Sequence, residues 1–125
     1  MSRSRSLAID VGKALLSHIA KTNGFVITYG ELAKLLPYEF NPRNLDTPLG
    51  DLSALCQTLN LPLISTIVVS QDTYLPGAGY YKCFFGNAKP DRWKAIFDKE
   101  YKLVRNCGDW SLLANELGIS SNNRK

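Results

Sequence analysis

Few residues in this chain have the type and spacing that catalysis needs. The one histidine is His18, and it has no serine or acid at triad spacing beside it. The three cysteines, Cys56, Cys83 and Cys107, stand far apart with no C-x-x-C pair, so no zinc site is expected. A metal nuclease needs clustered carboxylates with a lysine. Asp46 and Asp51 are five apart with Thr47-Pro48 between them, and no Glu-x-Lys or His-x-Asn pattern follows. The reading is therefore no catalytic residue, no metal and no cofactor. What remains is chemistry of binding. The ring of Tyr29 can stack on a base. Arg43 can meet a phosphate or enter a groove, with Asn44 and Thr47 beside it. Lys82, and Arg3 and Arg5 near the start, add positive charge. Each has a plainer alternative. Tyr29 can pack on the first helix, and Arg43 can pair with Glu39 or Asp46 at the surface. Gly77 and Gly79 form either an anion-binding turn or only a turn.

The elements that must hold these groups follow from periodicity. Leu7, Val11, Leu15 and Ile19 recur every four residues and predict a helix over Ser6 to Thr22, stopped by Asn23-Gly24. Phe25 to Ile27 predicts a small strand. Thr28-Tyr29-Gly30-Glu31 is a capping box, so a short second helix should run through Leu36 to Pro37. Thr47 as cap and Pro48 at the first helical position should start a third helix, with Leu49, Leu52, Leu55, Cys56 and Leu59 as its buried stripe. Leu63 to Val69 is rich in β-branched residues and predicts a strand. Tyr80 to Phe85 predicts a returning strand, and the two would form a β-hairpin across Leu75 to Gly79. Which aromatic face of that hairpin is exposed depends on its register. A fourth helix opens at Lys89-Pro90 with Trp93, Ile96, Phe97, Tyr101 and Val104 on one face. Its outer charges, among them Lys94, Lys99 and Lys102 with Asp98 and Glu100, are of mixed sign and read as a solvated surface. Asp109 should cap a last short helix that ends at Gly118.

The expected fold is thus α+β and winged helix-turn-helix-like: three helices, a β-hairpin, then two C-terminal helices. Its parts are a basic arm over 1–5, one domain over 6–118 and a polar tail over 119–125. Helix-turn-helix units place the later helix in the DNA major groove.

Length and composition agree with one small domain. The chain has 125 residues, 45% hydrophobic and 21% charged. No apolar run approaches the ~18 residues of a membrane span, and no signal-peptide core follows the first residues. Three reduced, mostly buried thiols are expected, in a cytoplasmic protein. The net charge is +4, but setting aside Arg3, Arg5, Arg124 and Lys125 leaves bases and acids equal. Between Pro37 and Asn60 there is one base, Arg43, against Glu39, Asp46 and Asp51. A net acidic surface opposes phosphate contact.

From Val26 to Lys82 the chain resembles the DNA-binding domain of the alkylguanine DNA alkyltransferases and alkyltransferase-like proteins. Val26-Ile27-Thr28-Tyr29-Gly30-Glu31-Leu32-Ala33 is similar to that family's V-T-T-Y-G-E-L-A segment, and Pro42 to Gly50 is similar to its S-R-A-V-G-R-A-L-G segment. The resemblance implies that Tyr29 and Arg43 act on DNA, turning a nucleotide out of the duplex and filling the gap. It places Ser65 where the family has its reactive cysteine and Thr66 where it has histidine, so no alkyl acceptor is implied. The T-Y-G-E-L-A, L-P and L-P-G-x-G-[FY] phrases also resemble small prokaryotic and phage proteins that carry no assigned activity. Two functions follow as expectations. One is a non-catalytic winged-helix protein that binds DNA, most simply duplex. The other is a protein-binding module, such as a phage or mobile-element anti-defence factor acting on a host nuclease or another DNA-binding enzyme.

Overall fold

The apolar recurrence at the start of the chain builds α1, Arg3–Thr22, three residues longer at its front than the sequence predicts. The computed structural model describes residues 3–119, with side chains from Ser6 onward. Residues Arg3 and Arg5 therefore belong to a helix and not to a separate arm, while their side chains lie outside the described part. Most of the polar tail, 120–125, lies outside it as well. Val11 and Leu15 are fully buried. Gly12 lies where α1 comes closest to its neighbours. A Cβ there would stand 2.6 Å from Leu117 Cδ1 and 3.3 Å from Leu52 Cδ2. Asn23 (φ 61°) and Gly24 (φ 81°) then turn the chain out of the helix in the left-handed region.

Strand β1, Ile27–Thr28, leads directly into α2, Tyr29–Lys34. The capping box forms as its sequence requires. The Glu31 amide donates to Thr28 Oγ1 at 3.1 Å, and the Thr28 amide donates to Glu31 Oε1 at 3.0 Å. These bonds hold the Glu31 carboxyl below its usual range. The third helix, α3, Asp46–Thr58, begins earlier than predicted, because a 3₁₀ turn over Pro42–Leu45 runs straight into it. Thr47 is consequently its second residue and not its cap. No side chain caps α3 itself; Asn41 caps the 3₁₀ turn ahead of it, its Oδ1 accepting from the Arg43 amide at 3.0 Å. Of the expected stripe of α3, Leu49, Leu52 and Cys56 are buried, while Leu55 and Leu59 are half-buried at its edge.

The β-hairpin is absent. Leu63 to Val69 contributes a 3₁₀ turn over Ile64–Ile67 and only two strand residues, β2, Val68–Val69. Strand β2 pairs with β1, in parallel, with Ile27 opposite Val68 and Thr28 opposite Val69. The predicted returning strand is a helix, α4, Ala78–Phe84, with Gly77 at its N-cap. The physical reason is visible in the spacing. Tyr80 and Phe84, like Tyr81 and Phe85, are four apart, so the aromatic run satisfies a helical face as well as an alternating one. Burial decides between them, because Tyr80 and Tyr81 are adjacent and both buried. A strand would send them to opposite faces. The β-branched run at Ile64–Val69 is buried throughout. Such residues favour strands for packing on a pleated surface, and that preference yields when another packing buries them.

Helices α5, Pro90–Asn106, and α6, Ser111–Glu116, complete the chain. Asp109 accepts from the Ser111 amide at 2.9 Å, ahead of α6. Two apolar clusters result. The larger joins α1, α2, α3, β1, β2 and α6, and the smaller places Leu63, Tyr80 and Tyr81 against Trp93 and Ile96. The molecule is thus mixed and mostly helical, with a two-stranded parallel sheet.

Burial leaves several groups reluctant to ionise. It pushes Tyr81 up to about 12, raises Tyr80 and pushes the Cys56 thiol up to about 11. In an unfolded chain these groups ionise near 10 and 8.5. Folded values above unfolded ones mean that the contribution is complete below the unfolded values and is lost as pH climbs through the folded ones. The urea midpoint, measured with thiols kept reduced, should hold steady to about pH 8 and fall from there to about pH 12. A midpoint unchanged at pH 12 would contradict the buried phenols and thiol.

Candidate functional site

The start of α3, the 3₁₀ turn over Ile64–Ile67 that follows it, the start of α2 and the face of α4 meet around one small cavity. Tyr29, Asp46, Leu49, Gly50, Ser65, Gly79, Tyr80, Cys83 and Phe84 line it. Its volume is about 80 Å³. Small-molecule sites run to roughly 300–1,000 Å³, so this cavity holds a side chain or a few waters unless α4 moves.

Each wall is fixed by a hydrogen bond that spans the chain. The Gly77 amide donates to Tyr29 Oη at 2.9 Å, across 48 residues of sequence. A Cβ at Gly77 would sit 3.1 Å from that oxygen, a tight contact that a side chain there would relieve only by moving the Tyr29 hydroxyl a few tenths of an ångström. The Tyr29 phenol is raised above its ordinary value. Burial is the main cause and the nearby Asp46 charge a smaller one, while the Gly77 amide opposes them. Beneath, the Ser53 hydroxyl donates to Ser65 Oγ at 2.6 Å, and the Ser65 amide donates to Ser53 Oγ at 3.1 Å. Thr66 Oγ1 and Tyr80 Oη share a buried bond of 2.7 Å. The serine and threonine at the positions of the resembled family's cysteine and histidine are therefore both occupied in holding the fold.

Apart from Arg3 and Arg5, whose side chains lie outside the described part, the residues expected to bind fall into three groups. Arg43, Asn44 and Thr47 are exposed on the turn and first residues of α3, and among the described residues none has a side-chain partner. The surface pairing of Arg43 with Glu39 or Asp46 does not form. Tyr29 is close to this group but half-buried, with its hydroxyl taken by Gly77. Lys82 is exposed on α4, not on a hairpin, beside the cavity residue Cys83. Cys83 itself is exposed, contrary to the expectation of mostly buried thiols, whereas Cys56 is buried and Cys107 half-buried.

Sequence reading missed Asp46, Gly79, Tyr80 and Cys83 as neighbours of Tyr29. The helical spacing of Gly79, Tyr80 and Cys83 was a signal for three of them, hidden by the strand assignment. Asp46 carried no local signal, because its approach to Tyr29 depends on how α3 crosses α2. Among the described residues, no group of three or more histidines, cysteines and acids could hold a metal ion. None of the described helices is long and apolar enough to cross a membrane.

No known protein-family model matches this chain, and no curated protein or solved structure does either.

Proposed function

We propose that this chain is a non-catalytic DNA-binding protein that meets a duplex with the segment Pro42–Thr47. The observation that supports this most is the run of exposed, unpartnered polar side chains at Arg43, Asn44 and Thr47 on the approach to α3. An unpaired guanidinium presents five donors to phosphates or base edges at no cost in broken ion pairs. Lys82 supplies a second cation from α4. The resemblance at Tyr29 and Arg43 supports the same face. A hairpin wing plays no part, because that segment is α4.

The acids of this face keep affinity modest and make salt the informative variable. Two phosphate contacts, from Arg43 and Lys82, correspond to about a tenfold loss of duplex affinity between 50 and 200 mM salt. Fluorescence anisotropy with labelled duplex and single-stranded DNA measures it. Arg43→Ala should weaken duplex binding and flatten the salt dependence by about one contact. Lys99→Ala, on the outer face of α5, should do neither. Absence of duplex binding at low salt, or an Arg43→Ala variant as tight as the parent, would overturn the reading.

A second reading, a protein-binding module, is supported by a different observation. Phe25, Leu35, Tyr38 and Tyr74 are large apolar or aromatic side chains between 44% and 57% exposed. Clustered exposure of this kind marks protein contact surfaces.

A further inference from the structure

Across residues 78–106 seven bases stand against three acids, while the rest of 6–119 has four bases against eight acids. The even balance of the body therefore hides an uneven distribution, with positive charge gathered on α4 and α5. Residues 89–106 alone hold six bases and three acids. Each residue of a helix is turned about 100° from the last, so these charges divide α5 into strips. Arg92, Ile96, Lys99 and Leu103, at spacings of four, three and four, fall within about 60° of arc. Asp91 and Asp98 lie about 110–130° round the helix from the middle of that arc.

The strip that holds Asp98 is paired within itself. Lys94 Nζ donates to Asp98 Oδ1 at 2.7 Å. The Arg105 guanidinium lies 5.7 Å from the centre of the Tyr101 ring. The Arg92–Leu103 strip is different. Arg92 and Lys99 are exposed and form no ion pair among the described residues. Leu103 is 46% exposed. Ile96 is half-buried and packs on the cluster of Leu63, Tyr80 and Tyr81, which seats the strip beside α4. Lys89 at the N-cap and Lys102 on the flank are exposed as well. Glu100 is the one acid of α5 near the strip, half-buried beside Lys99, and burial raises its carboxyl more than Lys99 lowers it. Counted as fully charged, it still leaves the strip and its flanks with four bases against one acid.

We propose that this strip is a docking surface for an acidic amphipathic helix of a protein partner, one that alternates carboxylates with apolar residues along a single seam. Arg92 and Lys99 stand about 10 Å apart along α5, so carboxylates at i and i+7 of a facing helix match them. Apolar residues at i+4 and i+11 meet Ile96 and Leu103. A phosphate backbone carries the right charge but offers nothing apolar to Leu103 and Ile96. A flat anionic lipid surface would meet the Asp98 strip together with this one, whereas a second helix packs along one seam. The bases fix orientation and reject basic partners, and the apolar pair supplies contact. No residue of the strip belongs to the proposed DNA face, so the two readings stand or fall separately.

The probe is a set of synthetic, fluorescein-labelled helical peptides of about 18 residues. The first has glutamates at i and i+7 with leucines at i+4 and i+11. The second replaces the glutamates by lysines, and the third moves the glutamates to the face opposite the leucines. Anisotropy with the full chain should show saturable binding of the first peptide, at least about tenfold tighter than the other two. Arg92→Glu with Lys99→Glu should reverse the preference between the first and second peptides. Lys13→Glu with Lys21→Glu, on α1, makes the same change in net charge and should leave the preference as it is. Leu103→Asp should weaken binding of the first peptide, and circular dichroism checks that each variant remains folded. No binding of the first peptide, equal binding of acidic and basic peptides, or the same reversal by the α1 pair would overturn the proposal. Displacement of the peptide by duplex DNA, with DNA binding lost in Arg92→Glu with Lys99→Glu, would also overturn it and assign the strip to nucleic acid. Displacement by phosphatidylserine vesicles but not by DNA would overturn it in favour of a lipid surface.

Discussion

Replacing Tyr81 with alanine is expected to lower the free energy of unfolding by about 3–5 kcal/mol, the largest loss at any single position considered. Tyr81 has no exposed surface. Its ring stacks on Trp93 with centroids 4.5 Å apart and planes 2° from parallel. The Tyr80 ring meets it at right angles with centroids 5.0 Å apart. Its hydroxyl donates to the Trp93 carbonyl at 3.3 Å. Truncation therefore removes buried apolar area, leaves a cavity and breaks three aromatic pairs, with Tyr80, Phe85 and Trp93, the last of them joining α4 to α5. Tyr81→Phe keeps the rings and should cost only about 1 kcal/mol for the hydroxyl. Urea unfolding followed by tryptophan fluorescence measures both. The same experiment reports on the helix itself. In a strand only one of Tyr80 and Tyr81 could be costly to truncate, whereas on α4 both should be. A small effect at either position would argue against α4 as it is packed here.

Ser53→Ala is expected to cost about 2–4 kcal/mol, although only one oxygen is lost. Ser53 is fully buried and Ser65 nearly so. The Ser53 hydroxyl accepts from the Ser65 amide and donates to the Ser65 hydroxyl, so its removal strands a buried backbone donor and a buried hydroxyl together. Each stranded group costs about 1–3 kcal/mol. Ser65→Ala leaves the amide bonded to Ser53 and should cost less. Comparing the two by urea unfolding isolates the amide, and an equal or reversed order would contradict the arrangement. The pair also explains the 3₁₀ turn at Ile64–Ile67. With its amide committed to a side chain on α3, Ser65 has no donor left for a neighbouring strand.

The candidate interface was legible in part. Arg43, Asn44 and Thr47 lie within five residues of one another, so their shared exposure follows from a polar segment between Pro42 and Pro48. Tyr29 was legible as the residue after a cap, but its attachment to Gly77 was not, because the two are 48 residues apart.

What the sequence determined by itself is what short-range physics governs. The α2 capping box needs only Thr28 and Glu31, three residues apart. The stripes of α1, α3 and α5 need only apolar side chains three or four apart on one helix. The poverty of catalytic groupings is likewise a matter of composition. Only the tertiary structure decided the state of Leu63–Val69 and Tyr80–Phe85. Both runs are short, apolar and compatible with either periodicity, so local preference leaves the two states close in energy. The difference came from burial. As α4, the second run places Tyr80 and Tyr81 together against Trp93 and Leu63. As a buried turn and a two-residue parallel strand, the first closes over α3 through Ser53 and pairs with β1. Those contacts join residues far apart in the chain, and their energy exceeds the few tenths of a kcal/mol by which propensity separates a strand from a helix at such positions.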